Sequence, residues 1–266
     1  MKASCAVVVP IYRERLEPLE EFSLDYSARK LAGRQLLFAA PSGLELSYYR
    51  ERYPQFAVIQ YPPEFFASIK GYNRLLLSPA FYDYFPGQEF ILILQTDAIV
   101  LRDELDYWCG LPYDYVGAPW PDALEITINL DVFSGDKGKA VKAHVGNGGL
   151  SLRRNKKCSA LLQEFPEALQ MFLRSGSSED IFFSIMGAQS LDFVVPNDRV
   201  AGLFALEVRP ETYLALNQGR APMGGHAWWR QMPFWLPFLD CTPPVLLEAE
   251  PPRRVALSVN RKIDNA

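Results

Sequence analysis

Short apolar runs alternate with polar, helix-like stretches through the first hundred residues. Cys5-Ala6-Val7-Val8-Val9 is β-branched and stopped by Pro10, the pattern of a strand buried on both faces. The amphipathic stretch from about Glu17 to Arg29 predicts a helix, and Gln35 to Ala40 a second strand closed by Pro41-Ser42-Gly43. Ser47 to Tyr53 reads as a helix. Phe56 to Gln60 reads as a third strand, ended by Pro62-Pro63, a pair that cannot continue a ladder. A helix opening at Gly71 precedes the aromatic cluster Phe81, Tyr82, Tyr84 and Phe85, and Phe90 to Leu94 makes a fourth strand. This alternation predicts an α/β fold: a mixed, mainly parallel, Rossmann-type sheet flanked by helices.

In open sheets of that kind the ligand crevice lies beyond the carboxyl ends of the strands, so the loops at Tyr12-Arg13 and Gln95-Thr96-Asp97 are expected to face one site. The second half is less regular. It carries Pro119-Trp120-Pro121, a polar stretch from Ser134 to Lys142, and the run Val145 to Arg153 with Asn147-Gly148-Gly149 inside it. No internal repeat or linker divides the chain. The expectation is one domain over 1–266, with a nucleotide-binding half at 1–100, an acceptor and catalytic half at 101–240 and a surface tail at 241–266.

Composition narrows the function classes. With 266 residues, 49% of them hydrophobic, the chain can bury a large core. The 27 basic and 31 acidic residues form no long block, so nucleic acid is not an expected partner. Cys5, Cys109, Cys158 and Cys241 lack the close pairing of a zinc knuckle, and Cys5 lies in a predicted buried strand, so they read as reduced thiols in a cytoplasmic protein. The apolar run at the start is too brief for a signal or a spanning helix, which leaves only peripheral membrane contact.

Asp97 stands directly after an apolar strand, where one carboxylate and a substrate's own phosphates can hold a divalent cation; the bland alternative is a turn cap. Gly148-Gly149 lets backbone approach a bulky ligand, with Asn147 supplying a donor and an acceptor, although a tight turn explains the glycines equally well. Ser177-Ser178-Glu179-Asp180 opens a helix. Ser177 and Asp180 have capping-box spacing, and the alternative role for Asp180 is a general base, with Glu179 as fallback. His226, between Gly224-Gly225 and Trp228-Trp229, is placed to reach a metal beside an aromatic wall; His144 is the weaker candidate. Trp228, Trp229, Trp235 and Phe238 are candidates for an acceptor wall, with a plain core as the competing explanation.

Taken in order, Gly71 to Leu75, Gln95 to Ala98, Asp114 to Trp120, Gly146 to Arg153, Glu179-Asp180 and Gly224 to Trp228 resemble the GT-A glycosyltransferases. They are most similar to a glycosyltransferase-like family of uncharacterised function that carries Gln-x-Asp where most GT-A enzymes carry Asp-x-Asp. The resemblance implies Mn²⁺ or Mg²⁺ held by Asp97 and a late histidine, His226, on the diphosphate of a nucleotide-sugar. It further implies that Gln95 hydrogen-bonds a ribose, that Tyr12 and Arg13 contact base or ribose, and that Gly71, Tyr72, Asn73 and Arg74 support the same pocket. On the same resemblance Asp180 is expected to take the proton of the acceptor hydroxyl, and Thr96, Asn147, Gly148 and Gly149 to complete the donor site.

The expected activity is metal-dependent, inverting transfer from a nucleoside-diphosphate sugar, a UDP-sugar first, to a hydroxyl on a glycan or lipid-linked acceptor, as in polysaccharide biosynthesis. Two rivals stand beside it. A metal-dependent phosphohydrolase or nucleotidyltransferase wants more clustered carboxylates, and a non-catalytic sugar- or nucleotide-binding module is favoured by the amide at Gln95.

Overall fold

The computed structural model describes residues 3–128 and 139–247. Among the described residues the strands are β1 (Cys5–Pro10), β2 (Gln35–Pro41), β3 (Phe56–Tyr61), β4 (Phe90–Leu94), β5 (Ala98–Val100), β6 (Tyr115–Val116), β7 (Pro119–Ile128), β8 (Lys139–Val145), β9 (Leu150–Arg154), β10 (Ala205–Leu206) and β11 (Gly224–His226). The main sheet has the order β3-β2-β1-β4-β9-β6. Its first four strands are parallel, while β9 runs antiparallel to both β4 and β6, so the sheet is mixed as expected.

Strand alternation divides the core. Val7, Val9, Leu36, Phe38, Leu92 and Leu94 face one apolar layer, and Ala6, Val8, Leu37, Ala39, Ile91 and Ile93 face the other. Both faces are therefore covered, which is why the sequence reads as continuous apolar runs rather than alternation.

Two smaller sheets position the site. In the order β10-β11-β5, β11 pairs antiparallel with β5, with His226 opposite Ala98, and parallel with β10, with Gly225 opposite Leu206. That register carries Asp97, one residue before β5, and Glu207, one residue after β10, to the two sides of His226. β7 and β8 form a hairpin whose register shifts between Pro119 and Leu124.

Some expectations are corrected. The helix expected at Gly71 begins at Ile69, because the hydroxyl of Ser68 accepts the Gly71 amide and caps it two residues earlier. Part of the polar stretch Ser134–Lys142 is strand β8, and the remainder, like the tail beyond 247, lies outside the described residues. Among the described residues no helix is long and apolar enough to cross a membrane.

Candidate functional site

A cleft of about 760 Å³ opens at the carboxyl ends of β1 and β4, bounded by Tyr12, Tyr72, Asn73, Gln95, Thr96, Asp97, Asn147, Gly148, Gly149, Glu179, Asp180, His226 and Trp229. Most of the sequence candidates therefore share one cavity. The backbone N–H of Gln95 donates to the carbonyl of Gly149 at 2.8 Å, tying the end of β4 to the turn that enters β9.

At one end, Asp97 Oδ1 lies 3.1 Å from His226 Nε2. That nitrogen is buried and makes no aligned hydrogen bond, whereas Nδ1 on the other side of the ring is 2.8 Å from Glu207 Oε2. Burial disfavours a charged imidazole, but the two carboxylates outweigh it and push His226 up to about 10. Burial likewise pushes Asp97 up, and His226 more than offsets it, so its carboxyl is held below the usual range. Two acids around one imidazole call for positive charge. The protonated imidazole meets that need in the chain itself; once neutral, Nε2 can join Asp97 in holding a divalent cation, with Glu207 accepting from Nδ1–H.

Among the described residues no three His, Cys, Asp or Glu side chains form a metal cluster, so a cation here depends on substrate oxygens and water for its remaining ligands. That is the usual pattern for Mg²⁺ or Mn²⁺ at phosphates. Replacing Glu207 by Gln is expected to weaken Mn²⁺ binding in the presence of UDP by about 10–100-fold. Calorimetric titration of Mn²⁺ reads this; unchanged affinity removes Glu207 from the site.

Both glycines have a specific reason. A Cβ on Gly149 would stand 2.2 Å from the Cδ2 and Nε2 of His226, and one on Gly148 would stand 2.2 Å from Glu179 Oε1. The pair forms the turn that enters β9 and in the same place leaves room for functional side chains, while the left-handed backbone falls on Asn147, at φ 54°. Gly149→Ala is expected to displace the His226 ring, costing about 1–3 kcal/mol of stability together with Mn²⁺-dependent UDP binding. Denaturant melts and calorimetry report the two effects.

Asp180 lies on the first turn of the helix Glu179–Gly187. Burial raises its carboxyl, the neighbouring charge of Glu179 raises it further, and the Ile181 and Asn147 amides and Arg153 oppose this only in part, leaving it at about 7. A carboxylate at that value is matched to general-base work near neutrality. The expected capping box is not formed. Ser178 is the N-cap residue without a side-chain cap; Glu179 Oε2 accepts the Asp180 amide at 2.7 Å, and Asp180 Oδ1 accepts that of Ile181 at 2.8 Å. Glu179 is also corrected as a fallback base, because its Oε1 is locked 2.5 Å from Nη2 of the fully buried Arg153.

At the other end Thr96 Oγ1 donates to Glu20 Oε1 at 2.8 Å. Arg13 reaches the same carboxylate at 2.7 Å, so it braces Glu20 from outside, while Tyr12 itself lines the cleft. Asn147 Oδ1 accepts the Trp120 indole at 3.1 Å, and Nδ2, buried without a partner, remains available to a ligand. Gly71 and Arg74 do not line the cleft: Gly71 packs on the Glu64 and Phe65 carbonyls, and Arg74 is exposed.

The two adjacent tryptophans separate. Trp229 lines the cleft, but Trp228 is fully buried with its indole donating to Ser23 Oγ at 2.7 Å, so it is core rather than acceptor wall. Trp235 is core as well, and His144 is exposed on β8, away from the site. Glu20, Arg153 and Glu207 are the participants that sequence reasoning missed. Only Arg153 left a signal, as a charge at the end of an apolar strand.

Cleft and sheet order together define a GT-A-like fold. The galactosyltransferase LgtC in complex with donor and acceptor sugar analogues superposes with a TM-score of 0.52 and 17% identity, covering 83% of this chain and 86% of that one. An active-site mutant of LgtC gives 0.52 and 16% over the same shares. The glycosyltransferase GlyE of Streptococcus pneumoniae TIGR4 gives 0.47 and 14%, with 92% of this chain spanning 62% of that one. A search of curated proteins returns no match. Residues 55–226 match the family model described as "Protein of unknown function (DUF5672)", and the chain belongs to that family.

Proposed function

We propose that this protein is a glycosyltransferase that moves a sugar from a nucleoside-diphosphate sugar, with a UDP-sugar as the leading donor, to a hydroxyl acceptor with inversion at the anomeric carbon. The observation that carries the reading is the convergence of Asp97 Oδ1 and His226 Nε2, 3.1 Å apart, in the cleft that also holds the buried Asp180 carboxyl. The GT-A-like fold supports sugar transfer as the reaction class.

Asp97 and His226 would hold Mn²⁺ or Mg²⁺, which when bound offsets the charge that builds on the departing diphosphate. Tyr12 and the Thr96–Glu20 pair would hold the nucleoside, with Asn147 Nδ2 offering a donor to the sugar or phosphate. The Asp180 carboxylate takes the acceptor proton as the new C–O bond forms and the bond from anomeric carbon to phosphate oxygen breaks on the opposite face. Phe66, Ile69 and Trp229, around the same cleft, provide an apolar wall for a glycan or lipid-linked acceptor.

The test is a panel of UDP-, GDP- and CMP-sugars scored for thermal stabilisation with and without Mn²⁺. A UDP-sugar that stabilises only with Mn²⁺ supports the reading. Rapid hydrolysis of the donor without acceptor favours a phosphohydrolase, and metal-independent sugar binding without turnover favours a binding module.

A further inference from the structure

Arg153 is a full positive charge in the core. It lies on β9 with no exposure, and its polar contacts are Nη2 to Glu179 Oε1 at 2.5 Å, Nε to Ser151 Oγ at 3.0 Å and Nη1 to the Tyr82 hydroxyl at 3.4 Å. The guanidinium also lies 5.4 Å from the Tyr115 ring centroid and 5.3 Å from that of Phe183. Apolar residues of similar volume often replace a buried ion pair without loss of stability, so stability alone does not account for this one. Its placement does. The carboxylate that Arg153 holds is the residue before Asp180 in the chain, and the other oxygen of that carboxylate accepts the Asp180 amide at 2.7 Å.

We propose that Arg153 is a positioning residue for the transfer reaction: it pins the Glu179 carboxylate beside Asp180, so that Glu179 sets the proton affinity of the base without taking the acceptor proton itself. The inference rests on the reading of Asp180 as the base. It separates two adjacent acids that both line the cleft at one helix start: Glu179 is held by the Arg153 guanidinium and a backbone amide, whereas Asp180 accepts from the backbone amides of Ile181 and Asn147.

The groups that face Asp180 are few. Glu179 comes from its own helix, Arg153 from β9 and Tyr115 from β6, together with the backbone amides of Ile181 and Asn147. Burial and the Glu179 charge raise its titration; Arg153 and the amides lower it. Glu179→Gln removes the negative neighbour and leaves Arg153 facing Asp180 uncompensated. The base then becomes more acidic.

The experiment combines pH profiles of kcat/KM for the wild-type chain, Glu179→Gln, Arg153→Lys and Arg153→Met with carbon-detected NMR titration of the Asp180 carboxyl in the wild type and in Glu179→Gln. Expected is a shift of the acidic limb and of the Asp180 titration to lower pH by at least about one unit in Glu179→Gln, a tenfold change in proton affinity. Arg153→Met is expected to lower kcat with donor KM unchanged, and Arg153→Lys to recover part of it. An Asp180 titration that does not move overturns the proposal, as does a Glu179→Gln variant dead at every pH while Asp180→Asn still turns over. The NMR arm needs no turnover, so absence of sugar transfer by the wild-type chain strikes the functional reading, and an unmoved titration strikes this one.

Discussion

Asp180→Asn is expected to lose sugar transfer by about 10²–10⁴-fold while binding the donor and Mn²⁺ as the wild type does. The amide keeps the shape and can still accept the Ile181 amide through its oxygen, but it cannot take a proton. Wild-type activity itself is expected to fall below about pH 7, where Asp180 becomes protonated. Stability is expected to move the other way. The carboxyl titrates at 3.8 ordinarily and at about 7 in the folded chain. Between those values the folded state binds a proton that the unfolded chain does not, so wild-type stability from this group declines as pH rises through the window. Above about 7 the wild type carries a buried charge that the Asn variant lacks. The variant is therefore expected to be the more stable at pH 8, by an amount on the order of 1–3 kcal/mol, to keep about half of that margin at pH 5.5 and to lose the rest only as the pH approaches 4. Denaturant melts at the two pH values check it. A variant that is inactive and also less stable at pH 8 would indicate a structural role for Asp180.

Asp97→Ala is expected to abolish Mn²⁺-dependent binding of UDP, a loss of more than about 100-fold, or roughly 3 kcal/mol. The substitution removes the carboxylate paired with Nε2 of His226 in the cleft, and Glu207, on the Nδ1 side, cannot substitute for it. Residual binding without metal should persist through Tyr12 and the Thr96–Glu20 end. Retained metal-dependent affinity in the variant would place the cation elsewhere.

The strands that build the main sheet were legible because each is a short apolar run closed by proline or glycine, and β1 to β4 fall within a residue or so of where the pattern puts them. Asp97 and Asp180 were legible for a related reason: a charged residue at the end of an apolar element has to face either water or a ligand. Glu207 was not. It stands beside His226 only because β10 pairs with β11, and strands of two and three residues leave no periodicity to read. Trp228 and Trp229 were not separable by pattern either, since the left-handed turn at Ala227 sends one into the core and the other to the cleft. The glycines at 148 and 149 suggested a ligand approach or a turn, and the space they leave is taken by the side chains of Glu179 and His226, contacts between residues 31 and 77 positions apart that no local reading contains.

Isothermal titration of the full chain with UDP, in the presence of Mn²⁺ and again with the metal chelated, tests the paired Asp97–His226 site most directly. The account predicts saturable binding with Mn²⁺ that weakens at least tenfold without it. Equal affinity under both conditions, or no binding of UDP under either, would contradict it.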